Sequence, residues 1–227
     1  MKRRELLTGL AATALASGCT SQAPRRAQPH PPRYASPVPL PPPATIGTIS
    51  LEKAIAKRRS LRAFRPEPLP TATLGQLLWA GQGVTSPDGK RAAPSAGALY
   101  PLELYVVTPR QVLHYLPDGH RAQTRDTSDL RPGLKAAAVG QSTITAAPAV
   151  IAMAADPERL RHRYGAKTEE FVQIEVGHAA QNILLQAAAL DLAAVPVGSL
   201  DPARAADTLA LPPDETVLYL IPVGHHP

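Results

Sequence analysis

The sequence lacks the features that identify several common enzyme classes. Its single cysteine, Cys19, allows no disulfide within one chain, so cysteine places no constraint on the fold. Gly81-Gln82-Gly83 is not a dinucleotide-binding fingerprint, because it follows a predicted helix and lacks the third glycine. The sequence has no P-loop and no Gly-x-Ser-x-Gly nucleophile elbow. Glu175-x-x-His178 has the spacing of a di-iron ligand pair but occurs only once, and His225-His226 has no partners, so no metal site is expected.

A general excess of charge is also missing from most of the chain. Of the formal net charge of +6, residues 1–47 supply +5, because they contain six Lys and Arg against Glu5. The remainder contains 18 Lys and Arg against 17 Asp and Glu, so we expect no nucleic-acid surface. Six of those 18 cations nevertheless lie between Lys53 and Arg65, which makes this cluster a local feature.

The N-terminus predicts export. Residues 1–18 combine the basic Lys2-Arg3-Arg4, a short apolar stretch and small residues before a cleavage point, which is a signal peptide too short to span a bilayer. Arg3-Arg4-Glu5-Leu6-Leu7 resembles a twin-arginine signal, the route for proteins already folded. Ala16-Ser17-Gly18-Cys19 resembles a lipobox with Cys19 as the lipidated residue; the alternative is an ordinary secretory signal with an incidental cysteine. We expect a membrane-anchored lipoprotein on the periplasmic side or at the cell surface.

Proline separates this signal from the folded part. Gln22 to Pro43 contains nine of the 26 prolines, and such a segment cannot bury a core. We therefore predict a disordered tether over residues 19–47 and one domain over residues 48–227. About 180 residues are enough for a sizeable core.

Hydrophobic periodicity predicts an α+β fold with a central sheet flanked by long helices. The longest predicted helix is so apolar that it should be buried on several sides. The predicted helices are Leu51 to Lys57, Thr71 to Trp79, Asp129 to Val139, Asp156 to Arg163, Thr168 to Leu192 and Asp201 to Leu209. The predicted strands are Glu103 to Thr108, Val112 to Leu116, Arg121 to Thr124, Pro148 to Ala154 and Thr216 to Val223.

The basic cluster is a candidate phosphate site. If the chain is extended after the first helix, Arg58, Ser60 and Arg62 lie on one side at a period of two, with Arg59 nearby. Guanidinium forks and a hydroxyl are the donors that a phosphate group needs. The alternative is a solvated basic helix end favoured by the helix dipole.

Three further segments are candidates for chemistry. The loop Pro94-Ser95-Ala96-Gly97, followed by Tyr100, would let backbone approach a flat ligand, or it is a plain turn before a strand. Glu175, His178 and Asn182 share a helix face, where they serve catalysis or form a buried polar network that satisfies loop backbone. The loop Val197-Gly198-Ser199 follows the long helix.

Together these segments resemble the FMN-dependent nitroreductase superfamily, and within it the SagB-type branch of azoline-oxidising dehydrogenases. The resemblance runs from Ser50 to the C-terminus. It rests on Arg-Arg-Ser-x-Arg-x-Phe, on Pro-Ser-Ala-Gly-Ala-Leu-Tyr-Pro before a Glu-Leu-Tyr-Val-Val strand, and on Tyr-Gly followed by Glu-x-Gly-His-x-x-Gln-Asn.

The resemblance implies an intertwined homodimer with FMN at the interface. Arg58, Arg59, Ser60 and Arg62 would then hold the phosphate. Pro94, Ser95, Ala96 and Gly97 would lie by the flavin, reaching in from the partner subunit. Backbone amides of Val197, Gly198 and Ser199 would face flavin N5 and O4. Tyr100 is a candidate catalytic residue near the substrate.

Two departures from the family pattern bear on function. Ala98 and Tyr100 stand where general nitroreductases have Asn and Gln, which favours the SagB-type branch. The C-terminal Lys or Arg of many members is absent, so His225 is a candidate substitute at the phosphate. We expect a flavin oxidoreductase acting on a small organic or peptide substrate, with oxygen or a quinone as acceptor. The alternative is a non-catalytic lipoprotein of the same fold that binds a partner or relays electrons.

Overall fold

The computed structural model describes residues 34–227; the predicted signal peptide, Cys19 and the tether up to residue 33 lie outside the described residues. Seven strands form one sheet, and seven helices and two 3₁₀ turns connect them. The strands are β1 Val38–Pro39, β2 Leu102–Val107, β3 Val112–Leu116, β4 Arg121–Asp126, β5 Ala149–Ala155, β6 Leu192–Ala194 and β7 Thr216–His225. The helices are α1 Leu51–Lys57, α2 Thr71–Gln82, α3 Arg131–Ala137, α4 Thr143–Ala146, α5 Glu158–Tyr164, α6 Thr168–Ala189 and α7 Pro202–Thr208.

The sheet has the strand order β1-β4-β3-β2-β5-β7-β6, and every neighbouring pair is antiparallel. β5 is buried along its whole length, as expected for a continuous apolar run inside a sheet. The hairpin of β3 and β4 turns at Pro117-Asp118-Gly119, as predicted. The α+β fold with a helix-flanked sheet is therefore confirmed.

Each face of the sheet carries its own hydrophobic core. Because side chains alternate along a strand, β2 directs Leu104 toward the core formed with α2 and α6, and Tyr105 toward the core formed with α3 and α7. Leu77 and Leu78 of α2 are completely buried, and each such burial contributes about 2 kcal/mol. Among the described residues, no helix combines the length and apolar character needed to cross a membrane.

The helix boundaries correct two predictions. α2 continues past the predicted end at Trp79 to Gln82, and within it Gly81 packs tightly against Ile183 and Leu104, where a larger residue would not fit. α6 ends at Ala189, three residues before the predicted end, and the chain then forms the short strand β6, which was not predicted. α1 begins at Leu51, as predicted, and Ser50 caps it because its side chain accepts from the Lys53 N–H.

Residues 34–44, which were predicted to belong to the disordered tether, pack against the domain instead. β1 pairs with β4, and Leu40 is only 7% exposed. Ala44 exchanges hydrogen bonds with the Gln76 side chain, and Arg125 Nη2 donates to the Tyr34 hydroxyl at 2.6 Å. We call residues 34–44 the strap. Proline did not prevent this pairing because a two-residue edge strand needs few backbone donors.

Candidate functional site

The arginine cluster lies along the edge of the sheet formed by β6. After α1 the chain is extended, as predicted, and Ser60 forms a parallel bridge with Ala194. The Leu61 N–H donates to Ala194 O at 3.0 Å, and the Arg65 N–H donates to His225 O at 3.0 Å. Hydrogen bonds to the ends of β6 and β7 thus fix the backbone that carries the arginines.

A cavity of about 260 Å³ opens beside this segment. Arg58 and Arg59 line it, and Arg58 is half-buried, whereas Ser60 and Arg62 are exposed on the same segment. His226, rather than the suggested His225, contributes the C-terminal side chain to the cavity. The complete lining is Lys57, Arg58, Arg59, Leu61, Leu184, Ala188, Asp191, Leu192, Ala194 and His226.

The charges at this cavity suit a phosphate group. Within residues 34–227, Arg58, Arg59 and Arg62 have no carboxylate within ion-pair distance, whereas Lys57 Nζ pairs with Asp191 Oδ1 at 3.1 Å. Arg59 Nη1 donates to the carbonyl oxygens of Ala56 and Arg58, which fixes its guanidinium. Uncompensated guanidiniums on a fixed backbone provide the charge-assisted donors that an FMN phosphate requires.

The loop Val197–Ser199 follows β6 closely, and Val197 pairs with Leu220 of β7. The Val197 N–H already donates to Leu220 O at 2.8 Å, so this amide is not free for a ligand. Gly198 and Ser199 are exposed, and their N–H groups have no acceptor in the described part of the chain. Of the three predicted amides, these two remain available to an oxyanion or a ring nitrogen.

The loop Pro94–Gly97 is a tight turn rather than a plain connection. Gly97 has φ 61° and Tyr100 has φ 48°, both in the left-handed region. A Cβ on Gly97 would lie 2.8 Å from Tyr164 Oη and 2.9 Å from Arg163 Nη1. Glycine is therefore required here by backbone conformation and by space.

Tyr100 is held by its neighbours in this loop. Its N–H donates to Ser95 Oγ at 2.8 Å, and its hydroxyl accepts from the Arg91 N–H at 3.1 Å. The Arg91 guanidinium lies 4.5 Å from the centroid of the Tyr100 ring. The candidate catalytic Tyr100 thus stands in a fixed orientation beside the loop.

The three polar residues of α6 do not act as one face. His178 is exposed, whereas Glu175 is buried at 2% exposure. Asn182 Nδ2 donates to Ala92 O at 3.3 Å, which is the loop-satisfying contact that the network interpretation predicts. Burial raises the pKa of Glu175 to about 7, although Ser95, Arg91 and Ala96 oppose that rise.

The predicted site residues form two groups within one chain. The arginine segment lies near the C-terminal end of α6, where Ala188 lines the cavity. The loop Pro94–Gly97 lies near Glu175, 13 residues earlier in the same helix. At 1.5 Å per residue, the two groups are separated by about 20 Å along α6. One chain alone does not bring them together.

Comparison with known proteins identifies the fold and the family. Residues 55–225 match the model of the nitroreductase family. The chain belongs to the nitroreductase family. It is 37% identical over 185 residues to a "putative nitroreductase" of Methanocaldococcus jannaschii, covering 79% of this chain and 92% of that protein. It is an oxidoreductase of this family.

Solved nitroreductase structures share the architecture. A "putative nitroreductase" of Ralstonia eutropha superposes with a TM-score of 0.77 at 29% identity, covering 84% of this chain and 90% of that one. The NADPH:FMN oxidoreductase of Vibrio harveyi, solved with NAD⁺, gives a TM-score of 0.59 at 22% identity, covering 77% and 68% of the respective chains. At that identity the second likeness shows the fold alone.

Sequence reasoning did not single out Gln82, Arg91 or His226. Gln82 accepts from Arg91 Nη1 at 3.0 Å beneath the loop, and His226 lines the cavity. The sequence offered one indication for His226: it is the basic residue nearest the C-terminus, where many family members have Lys or Arg. The hydrogen bond between Gln82 and Arg91 could not be predicted from the sequence, because it depends on the path of the chain after α2.

Proposed function

We propose that the protein is an exported, membrane-tethered, FMN-dependent oxidoreductase of the SagB-type branch, active as a homodimer. The observation that carries this proposal is the row of arginines without carboxylate partners, of which Arg58 and Arg59 line a cavity of about 260 Å³. The free amides of Gly198 and Ser199 provide a second group of donors. This combination matches the phosphate end and the electron-accepting ring of a flavin mononucleotide. Family membership supports the same cofactor.

In this proposal the chain's own groups bind and orient the cofactor. Arg58 and Arg59 contact the phosphate in the cavity, and Ser60 and Arg62 extend the same donor row along the sheet edge. The Gly198 and Ser199 amides face the ring and favour negative charge there. FMN, when bound, supplies hydride or electron transfer between a small organic or peptide substrate and an acceptor.

A second copy completes the site by contributing the loop Pro94–Gly97, since each chain holds the two groups apart. Apolar side chains on the outside of the helices support such an interface. Leu51 and Ile55 of α1 are 61% and 55% exposed, and Ile174 of α6 is 48% exposed. Gly177 has open space above its Cα, which allows another helix to approach closely.

The proposed location shapes the choice of acceptor. Export through a twin-arginine route would carry the protein folded with its cofactor, and lipidation at Cys19 would anchor it. Free nicotinamide cofactor is not expected outside the cytoplasm. We therefore propose oxygen or a quinone as the acceptor for electrons taken from the substrate.

Purified mature protein tests the cofactor directly. We expect a yellow protein with an absorption band near ~450 nm, the usual flavin region, and FMN released on denaturation. Colourless protein that takes up no added FMN would refute the enzyme proposal and leave the binding alternative. Bound FMN that no candidate substrate reduces would favour the electron-relay alternative.

Charge removal tests the phosphate assignment. Arg58→Ala and Arg62→Ala should each raise the Kd for FMN by roughly 10-fold or more, since a hydrogen bond to a charged group contributes about 1.5–3 kcal/mol. Arg110→Ala, an exposed arginine between β2 and β3, is the matched control and should leave the Kd unchanged. Equal affinity in all three variants would contradict the phosphate role.

Export and anchoring have separate tests. Replacing Arg3 and Arg4 by Lys should stop export of folded protein, and Cys19→Ala should release the exported protein from the membrane fraction. Continued export of the first variant would point to the general secretory route. Membrane retention of the second would exclude lipidation at Cys19.

A further inference from the structure

The loop Pro94–Gly97 rests on a buried carboxyl group. Glu175 of α6 is 2% exposed, and within residues 34–227 neither of its carboxyl oxygens makes a hydrogen bond of acceptable geometry. Ser95 and the backbone of Ala96 lie beside it. A buried polar side chain without a partner in a native fold requires an explanation, because desolvation alone costs about 1–3 kcal/mol.

A second buried polar group lies under the same loop. Gln82, the last residue of α2, is 1% exposed. Its Oε1 accepts from Arg91 Nη1 at 3.0 Å, while its Nε2 has no partner among the described residues. The end of α2, the loop and α6 therefore direct polar groups toward one another in an apolar surrounding.

The groups that face Glu175 come from each of these elements. Arg91 is the charged group that attracts its carboxylate, and Ser95 and Ala96 offer a hydroxyl and an N–H. α2 contributes the neutral Gln82. On α6, the neighbours one turn away are Phe171, Val172, Ala179 and the exposed His178. On the far side of the loop, the guanidinium of Arg163 and the hydroxyl of Tyr164 in α5 lie against Gly97.

Ser95 links Glu175 to Tyr100. Ser95 Oγ accepts from the Tyr100 N–H at 2.8 Å, so its own hydroxyl proton is free to turn toward Glu175. Tyr100 in turn accepts from the Arg91 N–H through its hydroxyl. A change at the Glu175 carboxyl is therefore transmitted to Tyr100 through a single side chain.

We propose that Glu175 is a positioning residue that sets, through Ser95, the position of the loop Pro94–Gly97 and of Tyr100. In its carboxylate form it accepts from the Ser95 hydroxyl and the Ala96 N–H and draws the loop onto α6. In its protonated form it attracts these donors and Arg91 less, and the loop moves away from the helix. The inference deepens the proposed function, on which it rests for the placement of this loop beside the flavin.

The pKa of Glu175, raised by burial to about 7, puts this change near neutral pH. The carboxyl would therefore exchange its proton near neutral pH, and loop position would follow. A glutamate with an unperturbed pKa, by contrast, stays ionised at neutral pH.

The test follows Tyr100 and Glu175 independently of turnover. Mature protein labelled with 3-fluorotyrosine is titrated by ¹⁹F NMR, with the Tyr100 signal assigned by Tyr100→Phe, and carboxyl protonation is followed by infrared difference spectroscopy. We expect the Tyr100 signal to shift with a midpoint at the pH where the buried carboxyl titrates. Glu175→Gln should abolish both changes. Glu170→Gln, an exposed glutamate of the same helix that pairs with Lys167, should keep both.

Ser95→Ala provides a second variant that does not depend on how Glu175→Gln folds. It should preserve the carboxyl titration and abolish the Tyr100 shift. A Tyr100 shift that persists in Glu175→Gln, or a wild-type protein without a coupled shift, would overturn the proposal. Measurements with and without added FMN separate it from the proposed function: a protein that binds no FMN but shows the coupled shifts refutes only the cofactor assignment.

Discussion

Leu61 donates its backbone N–H to the carbonyl oxygen of Ala194 over 3.0 Å, which joins the arginine segment to the last strand in the sheet order. Proline has no N–H, so Leu61→Pro removes this bond. We expect the free energy of unfolding in urea to fall by about 1–3 kcal/mol more than in Leu61→Ala, which keeps the N–H. The Kd for FMN should rise in the proline variant. Equal stability of the two variants would show that this bond does not fix the segment.

The strap should stabilise the domain. A variant that begins at Thr45 lacks the β1 pairing, the buried Leu40 and the Tyr34–Arg125 contact. We expect it to lose at least about 2 kcal/mol of unfolding free energy relative to a variant that begins at Tyr34, from Leu40 alone. Thermal and urea denaturation compare the two. Matching curves would mean that the strap lies on the domain without stabilising it.

Tyr105 joins three elements through its buried hydroxyl. The hydroxyl donates to Glu215 Oε2 at 2.6 Å and accepts from Arg125 Nη1 at 3.1 Å. Tyr105→Phe leaves both groups without this partner and should lower the free energy of unfolding by about 1–3 kcal/mol. Tyr219→Phe is the control, because the Tyr219 hydroxyl has no hydrogen bond among the described residues. A similar loss in both variants would contradict the assigned role.

Glu175 should make stability depend on pH. Its pKa is raised from 4.5 to about 7, so between these values the folded chain keeps a proton that the unfolded chain releases. The free energy of unfolding should therefore decline as pH rises through this window, by up to about 3 kcal/mol relative to Glu175→Gln. Urea denaturation from pH 4 to 8 measures the difference between the two proteins. Parallel profiles would mean that the carboxyl titrates alike in both states.

Gly97→Ala should disturb the loop without unfolding the domain. The alanine would have to adopt φ 61° with its Cβ 2.8 Å from Tyr164 Oη. We expect a loss of about 1–3 kcal/mol and a displaced loop. Gly140→Ala has a similar positive φ but open space around it, so the difference between the variants reports the contact with Tyr164. Urea unfolding measures the loss of stability, and the ¹⁹F signal of Tyr100 reports the displacement of the loop.

Most of the fold could be predicted because local patterns and tertiary packing agree. Apolar runs marked β5 and β7, and turn residues marked the hairpin of β3 and β4. β6 was missed because Leu192–Ala194 continues the apolar character of α6, and only pairing with β7 makes it a strand. The strap was missed because proline content indicates disorder, whereas the pairing of β1 with β4 depends on an edge strand that lies far away in sequence.

The residue types of the candidate site could be chosen from the sequence, but their geometry could not. The arginine-rich segment can be recognised from its charge. Its extended conformation, however, depends on backbone hydrogen bonds to Ala194 and His225, which are far away in sequence. The Val197 amide could not be excluded from sequence, because its partner Leu220 lies on another strand. The buried state of Glu175 likewise depends on the loop folding back over α6.

The strap and the arginine segment occupy opposite edges of a seven-stranded sheet. Six strand spacings of about 4.8 Å place β1 and β6 roughly 29 Å apart across the strands, and the arginine segment lies beyond β6. If the protein is anchored through its N-terminus, as we propose, the arginine cavity would lie at the sheet edge farthest from the strap, where the described part of the chain begins.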